Sequence, residues 1–146
     1  MGDRRSAREA ALQILFQKDF NEDSPIPYSL VKISPDARGA DFSSHIVAGV
    51  LQYRADIDKR IKEHAENWAA DRMAVVDLNI LRIAIFEMVY GKETLAGHVA
   101  PAKVVINEAI EIAKKYGNEN SGAFVNGILD TIHHALPQDV GWVSKR

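Results

Sequence analysis

Cysteine is absent from the 146 residues, which excludes a disulfide framework, a thiolate nucleophile and a cysteine-based zinc site. No apolar run approaches the roughly 18 residues that a membrane-spanning helix needs. The opening Met-Gly-Asp-Arg-Arg lacks the apolar core of a secretory leader, so a cytoplasmic protein is expected. Positive charge is not in surplus either: the formal net charge is -2, and any nucleic-acid contact must come from a local basic patch. Catalytic motifs are missing too. There is no phosphate loop, dinucleotide fingerprint or nucleophile elbow. His133 and His134 are adjacent and point apart on a helix, while His45, His64 and His98 show no ligand spacing with carboxylates. Glu108 and Glu111 could share a helix face, but they read more simply as solvated charges. Nothing assembles an acid, a base and a pocket, so no enzyme, metal or cofactor is expected.

What is present is an ordinary globular balance, 47% hydrophobic and 26% charged, arranged almost everywhere with the helical period. A first helix covers roughly Asp3 to Phe20, with Ala7, Ala10, Ala11, Ile14 and Leu15 on one face. Ser6 and Glu9 have the spacing of a capping box, although Asp3 could equally cap an earlier start. Asn21 to Pro27 reads as a loop, and Ser34-Pro35-Asp36 as a second start signal after a possible short helix. Phe42, Ile46, Val50, Tyr53, Ile57 and Ile61 then recur in steps of three or four, as one long helix or as two broken near Asp56. Gly49 within them permits close helix–helix approach. Trp68 precedes a junction around Ala70 to Met73. Val75 to Tyr90 is apolar on nearly every side except Asp77, Asn79, Arg82 and Glu87, which predicts a buried central helix. Gly91 to Pro101 is a connection.

Two amphipathic helices follow. Ala102, Val105, Ile106, Ala109, Ile110, Ala113 and Tyr116 form the first stripe; Val125, Ile128, Leu129, Ile132 and Leu136 form the second. Gly117 stands where a helix ends in the left-handed conformation, and Asn118, Asn120 and Ser121 are each plausible caps for the next. This turn would hold helix N–H groups near Lys114 and Lys115, a reasonable place for a phosphate or carboxylate. The fold expected is all-α: two small helical bundles sharing the Val75–Tyr90 helix. They form one domain over residues 1–136 with halves of about 1–70 and 71–136. A less ordered tail occupies residues 137–146.

Candidate binding residues cluster at two places. Arg4 and Arg8 share a helix face with Arg5 flanking, and arginine forks suit phosphates and stack on bases. A solvated basic helix start is the plain alternative. Lys114 and Lys115 close a helix where cations complement its dipole, which needs no function. Phe124 is rotated off its helix's core stripe, near the helix start, as either a base-stacking platform or core edge.

Three separated blocks resemble the NusB family of bacterial transcription antitermination factors. Arg4 to Phe16 (RRSAREAALQILF) is similar to the family's RRxARExALQxLY, and Val76 to Tyr90 to its VDxxILRIAxYELLY segment. Lys103 to Ile132 (KVVINEAIEIAKKYGNENSGAFVNGILDTI) is similar to VAINEAIELAKxxGxExSxxFVNGxLDxI. With their spacing, the blocks cover most of the chain from Arg4 to about Ile132. The resemblance implies two helical bundles, no catalytic activity, and binding of a short single-stranded boxA element in ribosomal-RNA leader transcripts. It implies a protein partner, the small-subunit ribosomal protein NusE, which binds that RNA jointly. Through the complex, other Nus factors and RNA polymerase are reached and premature termination is suppressed.

The resemblance also implies roles. Arg4, Arg5 and Arg8 match RNA-contacting arginines, and Phe124 matches an aromatic near the RNA; Lys114, Lys115, Asn118, Asn120 and Ser121 complete the expected RNA side. Asp77 matches an acidic position at the ribosomal-protein interface, with Phe16 and Glu87 placed on the same partner side. Departures accompany the matches. Phe16 replaces a frequent tyrosine, Asn120 a frequent aspartate, and Ala123 a lysine of some members. Monomer and homodimer both remain open. Two other classes compete: the RNA-binding N-terminal domain of ribosomal-RNA cytosine methyltransferases, for which a chain stopping at Arg146 leaves no methyl-donor domain, and a protein-only helical adaptor.

Overall fold

The backbone is that of a computed structural model, which describes residues 2–20, 37–65, 73–91 and 100–136. They form six helices and no strand: α1 (Gly2–Phe20), α2 (Ala37–Gln52), α3 (Arg54–His64), α4 (Val75–Ile85), α5 (Ala102–Tyr116) and α6 (Ser121–Ala135). α4 continues directly into a π-helical turn at Phe86–Tyr90. The expected loop at Asn21–Pro27, the start signal at Ser34–Asp36, Trp68, the tail 137–146 and most of the two connections around them lie outside the described residues.

The apolar stripes fall inside as their spacing predicts. Ala7, Ala10, Ala11, Ile14 and Leu15 of α1 are buried, as are Val125, Ile128, Leu129 and Ile132 of α6. α5 buries Val105, Ile106, Ala109, Ile112 and Ala113; its stripe stops one turn early, because Tyr116 is 37% exposed. α4 packs against every other helix, which is why its apolar residues run round its circumference. Even its polar residues, Asp77, Asn79 and Arg82, are buried, and so is Glu87 in the π turn. Arg82 sends two hydrogen bonds to Asp58 at 2.8 and 2.9 Å and lies 3.3 Å from Asp19, while Asn79 donates to Asp19 at 2.6 Å. This network ties the end of α1 and the first turns of α3 to α4. Buried charges require such partners.

Three local details differ from expectation. α1 is already helical at Gly2, so Ser6 and Glu9 lie inside it and form no capping box. The second apolar series breaks at Tyr53, not near Asp56. Hydrogen bonds from Tyr53 N to Gly49 O and from Ile57 N to Tyr53 O carry the helical pattern across the kink. Here the Tyr53 ring stacks on Tyr90, 4.1 Å between centroids and 8° from parallel, and Gly49 lets the Phe86 ring press against α2. A methyl group at Gly49 would overlap that ring. Finally, Gly117 is extended (φ -95°, ψ -163°), not left-handed. Glycine is needed for space instead, since a Cβ would collide with the Ser121 side chain and crowd the Ala113 carbonyl.

Candidate nucleic-acid interface

The N-terminal turns of α1 pack on α2 and reach α5 through ion pairs, and this region gathers several of the predicted cations. Arg5 reaches Glu108 of α5 through two parallel bonds, Nε to Oε1 at 2.7 Å and Nη2 to Oε2 at 2.9 Å. One turn further, Glu9 accepts hydrogen bonds from Lys115 Nζ and the Tyr116 hydroxyl, each at 3.2 Å. The Arg4 guanidinium lies 4.8 Å from the Phe42 ring centroid, a cation–π distance. Lys114 sits outside the seam, 3.7 Å from Glu111, with its aliphatic stem across Gly122. Arg5 and Lys115 thus share one seam between α1 and α5, continuous through Tyr116 with the Gly117–Asn120 turn, while Arg4 lies against Phe42 of α2.

Electrostatics in the seam follow from these pairs. The Arg5 fork holds the Glu108 carboxyl below the usual carboxylate range, against partial burial that pushes it upward. Glu108 in turn raises Arg5, and Glu9 raises the Lys115 ammonium above its ordinary value. Both cations are therefore fully charged, and both already face a carboxylate.

The turn residues are arranged differently from a row of caps. Asn118 N donates to Ser121 Oγ at 3.0 Å, and Asn118 Oδ1 accepts from Asn120 N at 2.8 Å. Asn120 occupies the N-cap position without a side-chain cap bond. Two of the N–H groups expected to face an anion are thus engaged within the turn, Asn120 N on Asn118 Oδ1 and Ser121 N on Asn118 O at 3.1 Å. The Asn118, Glu119 and Asn120 side chains remain exposed, while Ser121 is buried. Phe124 is half-buried and packs against the edge of the core.

Four candidates, Arg8, Glu87, Asp77 and Ser121, are buried. Arg8, expected on the RNA face, is 4% exposed; its fork closes on Glu87 with Nε to Oε2 at 2.7 Å and Nη2 to Oε1 at 2.8 Å. Glu87, expected to meet a partner, is equally buried and engaged. The pair roofs a cavity of about 10 Å³ walled by Ile80, Ile83, Val105 and Ile112, room for one water at most and none for a substrate. Asp77 is also buried, and its Oδ1 has no hydrogen-bond partner; Phe16 is half-buried on α1. Among the described residues no three histidines, cysteines or carboxylates converge on a metal position, and none of the helices is long and apolar enough to cross a membrane.

Sequence reading missed Glu9, Glu108 and Phe42 as parts of this site. Glu108 lies 103 residues from Arg5 along the chain, so no local spacing announces the pair. Phe42 was visible only as one more apolar position.

The arrangement matches known proteins along nearly its whole length. The NusB family profile matches residues 5–134. The transcription antitermination protein NusB of Geobacter sulfurreducens is 44% identical over 141 residues, covering 94% of this chain and 98% of that protein. The NusB of Elusimicrobium minutum is 45% identical over 140 residues, covering 90% and 94%. The chain belongs to the NusB family. Among solved structures, T. maritima NusB superposes with a TM-score of 0.78 at 38% identity, covering 90% of this chain and 91% of that one. A crystal structure of NusB and NusE in complex with double-stranded RNA superposes with a TM-score of 0.80 at 26% identity, covering 93% and 99%. The NusB family comprises transcription antitermination proteins, not enzymes, and its all-helical fold is the one built here around α4.

Proposed function

We propose that this chain is an antitermination factor that binds the single-stranded boxA element of ribosomal-RNA leader transcripts together with the ribosomal protein NusE. The complex then engages other Nus factors and RNA polymerase in the cytoplasm and suppresses premature termination. The observation that carries the reading is the α1–α5 seam, which sets Arg5 and Lys115 beside an exposed polar turn, with Arg4 nearby against α2, in a chain whose net charge is -2. Lys114, Asn118 and Asn120 extend that face, and Phe124 at its edge supplies a ring for base stacking. Ser121, buried, shapes the turn. On the partner side stand Asp77, whose buried Oδ1 lacks a hydrogen-bond partner and must be uncovered before a docking donor can reach it, and Phe16 as apolar contact. The NusB–NusE–RNA crystal structure supports the pairing of protein and RNA partners, although its RNA is double-stranded. The methyltransferase-domain reading gains nothing from relatives that are themselves matched over 94–98% of their length.

The test is an anisotropy titration of labelled boxA RNA, as single strand and as duplex, with and without NusE. The single strand should bind more tightly, and NusE should tighten it by the same factor by which RNA tightens NusE. Arg5→Ala should weaken binding and reduce the salt slope by about 0.7 for one lost single-strand phosphate contact. Equal affinity with and without NusE removes joint binding. An unchanged slope removes Arg5.

A further inference from the structure

The seam that would meet RNA is not an open basic patch. Each of its paired cations is already covered by an acid from the facing helix: Arg5 by Glu108, Lys115 by Glu9. The first of these pairs is built as a phosphate contact would be. Both Glu108 oxygens accept parallel N–H bonds from one edge of the guanidinium, at 2.7 and 2.9 Å, the bidentate arrangement that arginine also offers to two phosphate oxygens. The pair lies in solvent, with side chains 45% and 22% exposed, so an incoming anion can reach the same edge.

We propose that Glu108 is a built-in phosphate surrogate: it occupies the Arg5 fork in the RNA-free protein and must swing aside before an RNA phosphodiester binds there. This rests on the RNA-binding reading above and adds the residue that sets its threshold. Arg5 cannot direct the same Nε and Nη2 donors to two anions at once, so at this edge of the guanidinium carboxylate and phosphate exclude one another. The consequence is selectivity. With its cations matched by acids, the seam gathers stray polyanions weakly, and only an RNA that adds stacking or partner contacts outcompetes Glu108. Glu9 acts on Lys115 in the same sense but through a single ammonium, without the shared fork geometry.

The sign of one substitution decides between this role and its opposite, in which Glu108 merely steadies Arg5 for RNA. Glu108→Gln keeps the side-chain shape and removes the charge. A surrogate predicts that boxA single strand binds about three- to tenfold more tightly at fixed salt; a steadying role predicts weaker binding. Glu111→Gln makes the same charge change one turn away and should shift affinity less. In an Arg5→Ala background, Glu108→Gln should add little, because the fork they contest is gone. Circular dichroism confirms that each variant is folded. Unchanged or weakened binding by Glu108→Gln, an equal gain from Glu111→Gln, or an undiminished gain without Arg5 overturns the surrogate role while the RNA-binding reading stands. Absence of RNA binding by the wild-type chain with NusE overturns both.

Discussion

Arg5 and Arg8 stand three residues apart on one helix and grip a glutamate each with nearly the same geometry, 2.7 and 2.9 Å in one case and 2.7 and 2.8 Å in the other. Their surroundings differ. The Arg8–Glu87 side chains are 5% and 2% exposed, those of Arg5–Glu108 45% and 22%. In the first pair neither charge can return to water without opening the α1–α4 contact, so each is held by its need for the other. In the second, water and passing ions compete at all times, and the pair is exchangeable. The same two functional groups therefore form a structural clasp when covered and an exchangeable pair when open. Charge pattern alone does not distinguish them; burial does.

The largest effect should come from breaking the covered pair. Arg8→Ala or Glu87→Ala leaves a buried charge without its partner and should lower the unfolding free energy by about 3–5 kcal/mol. Arg5→Ala, in the open pair, should change stability by less than about 1 kcal/mol. Denaturant melts of the variants give both numbers. A loss below 1 kcal/mol for Arg8→Ala would erase the distinction and return Arg8 to the RNA-facing set. Replacing both buried partners with Met and Leu should recover most of the loss, because no orphaned charge remains.

That distinction marks where the sequence was readable and where it was not. The helices were legible because burial writes itself as period: the α6 stripe at Val125, Ile128, Leu129 and Ile132 is buried as spaced. Local aromatics were less so. The π turn at Phe86–Tyr90 and the kink at Tyr53 meet in a ring stack between residues 37 apart, which no window of neighbours contains. Among the site residues, the arginine-rich helix start could not say which arginine turns inward. Arg8 is held inward by Glu87, which meets it from the π turn that continues α4. Gly117 shows a subtler limit. Glycine was required, but for the closeness of Ser121 and the Ala113 carbonyl, and sequence shows the residue without the reason.

Phe124 stands between the two regimes, half-buried at the core edge, and sharpens the comparison next. As a stacking surface, Phe124→Ala should cost about 1–3 kcal/mol in boxA binding. A residue fully in the core would instead cost about 3–5 kcal/mol of stability. The expected outcome is the binding loss, with a stability loss smaller than that core value. A titration and a melt on one sample decide it, and a well-folded Phe124→Ala with wild-type affinity removes Phe124 from the interface.

The smallest effect isolates the open pair by pH. Arg5's hydrogen bonds hold the Glu108 carboxyl below the ordinary glutamate value of 4.5, with burial opposing them. A carboxylate depressed in the folded state stabilises fully above its unfolded pKa, and that stabilisation is lost as pH falls through the lower folded value. Compared with Glu108→Gln, the wild type should melt about 1–2 °C higher at about pH 7. The gap should stay constant down to about pH 4.5 and close below it. Taking the difference between the two proteins at each pH cancels, to first order, the titration of carboxylates that both retain. The exposed Lys115, raised by Glu9, contributes in the opposite direction, its share lost only as pH climbs beyond the ordinary lysine value, so it leaves this acid window flat. A gap that does not close as pH falls below the ordinary glutamate value, or that is absent at neutral pH, would show that Glu108 does not hold Arg5 through its charge; a gap that closes on the acid side shows that the pair is ionic.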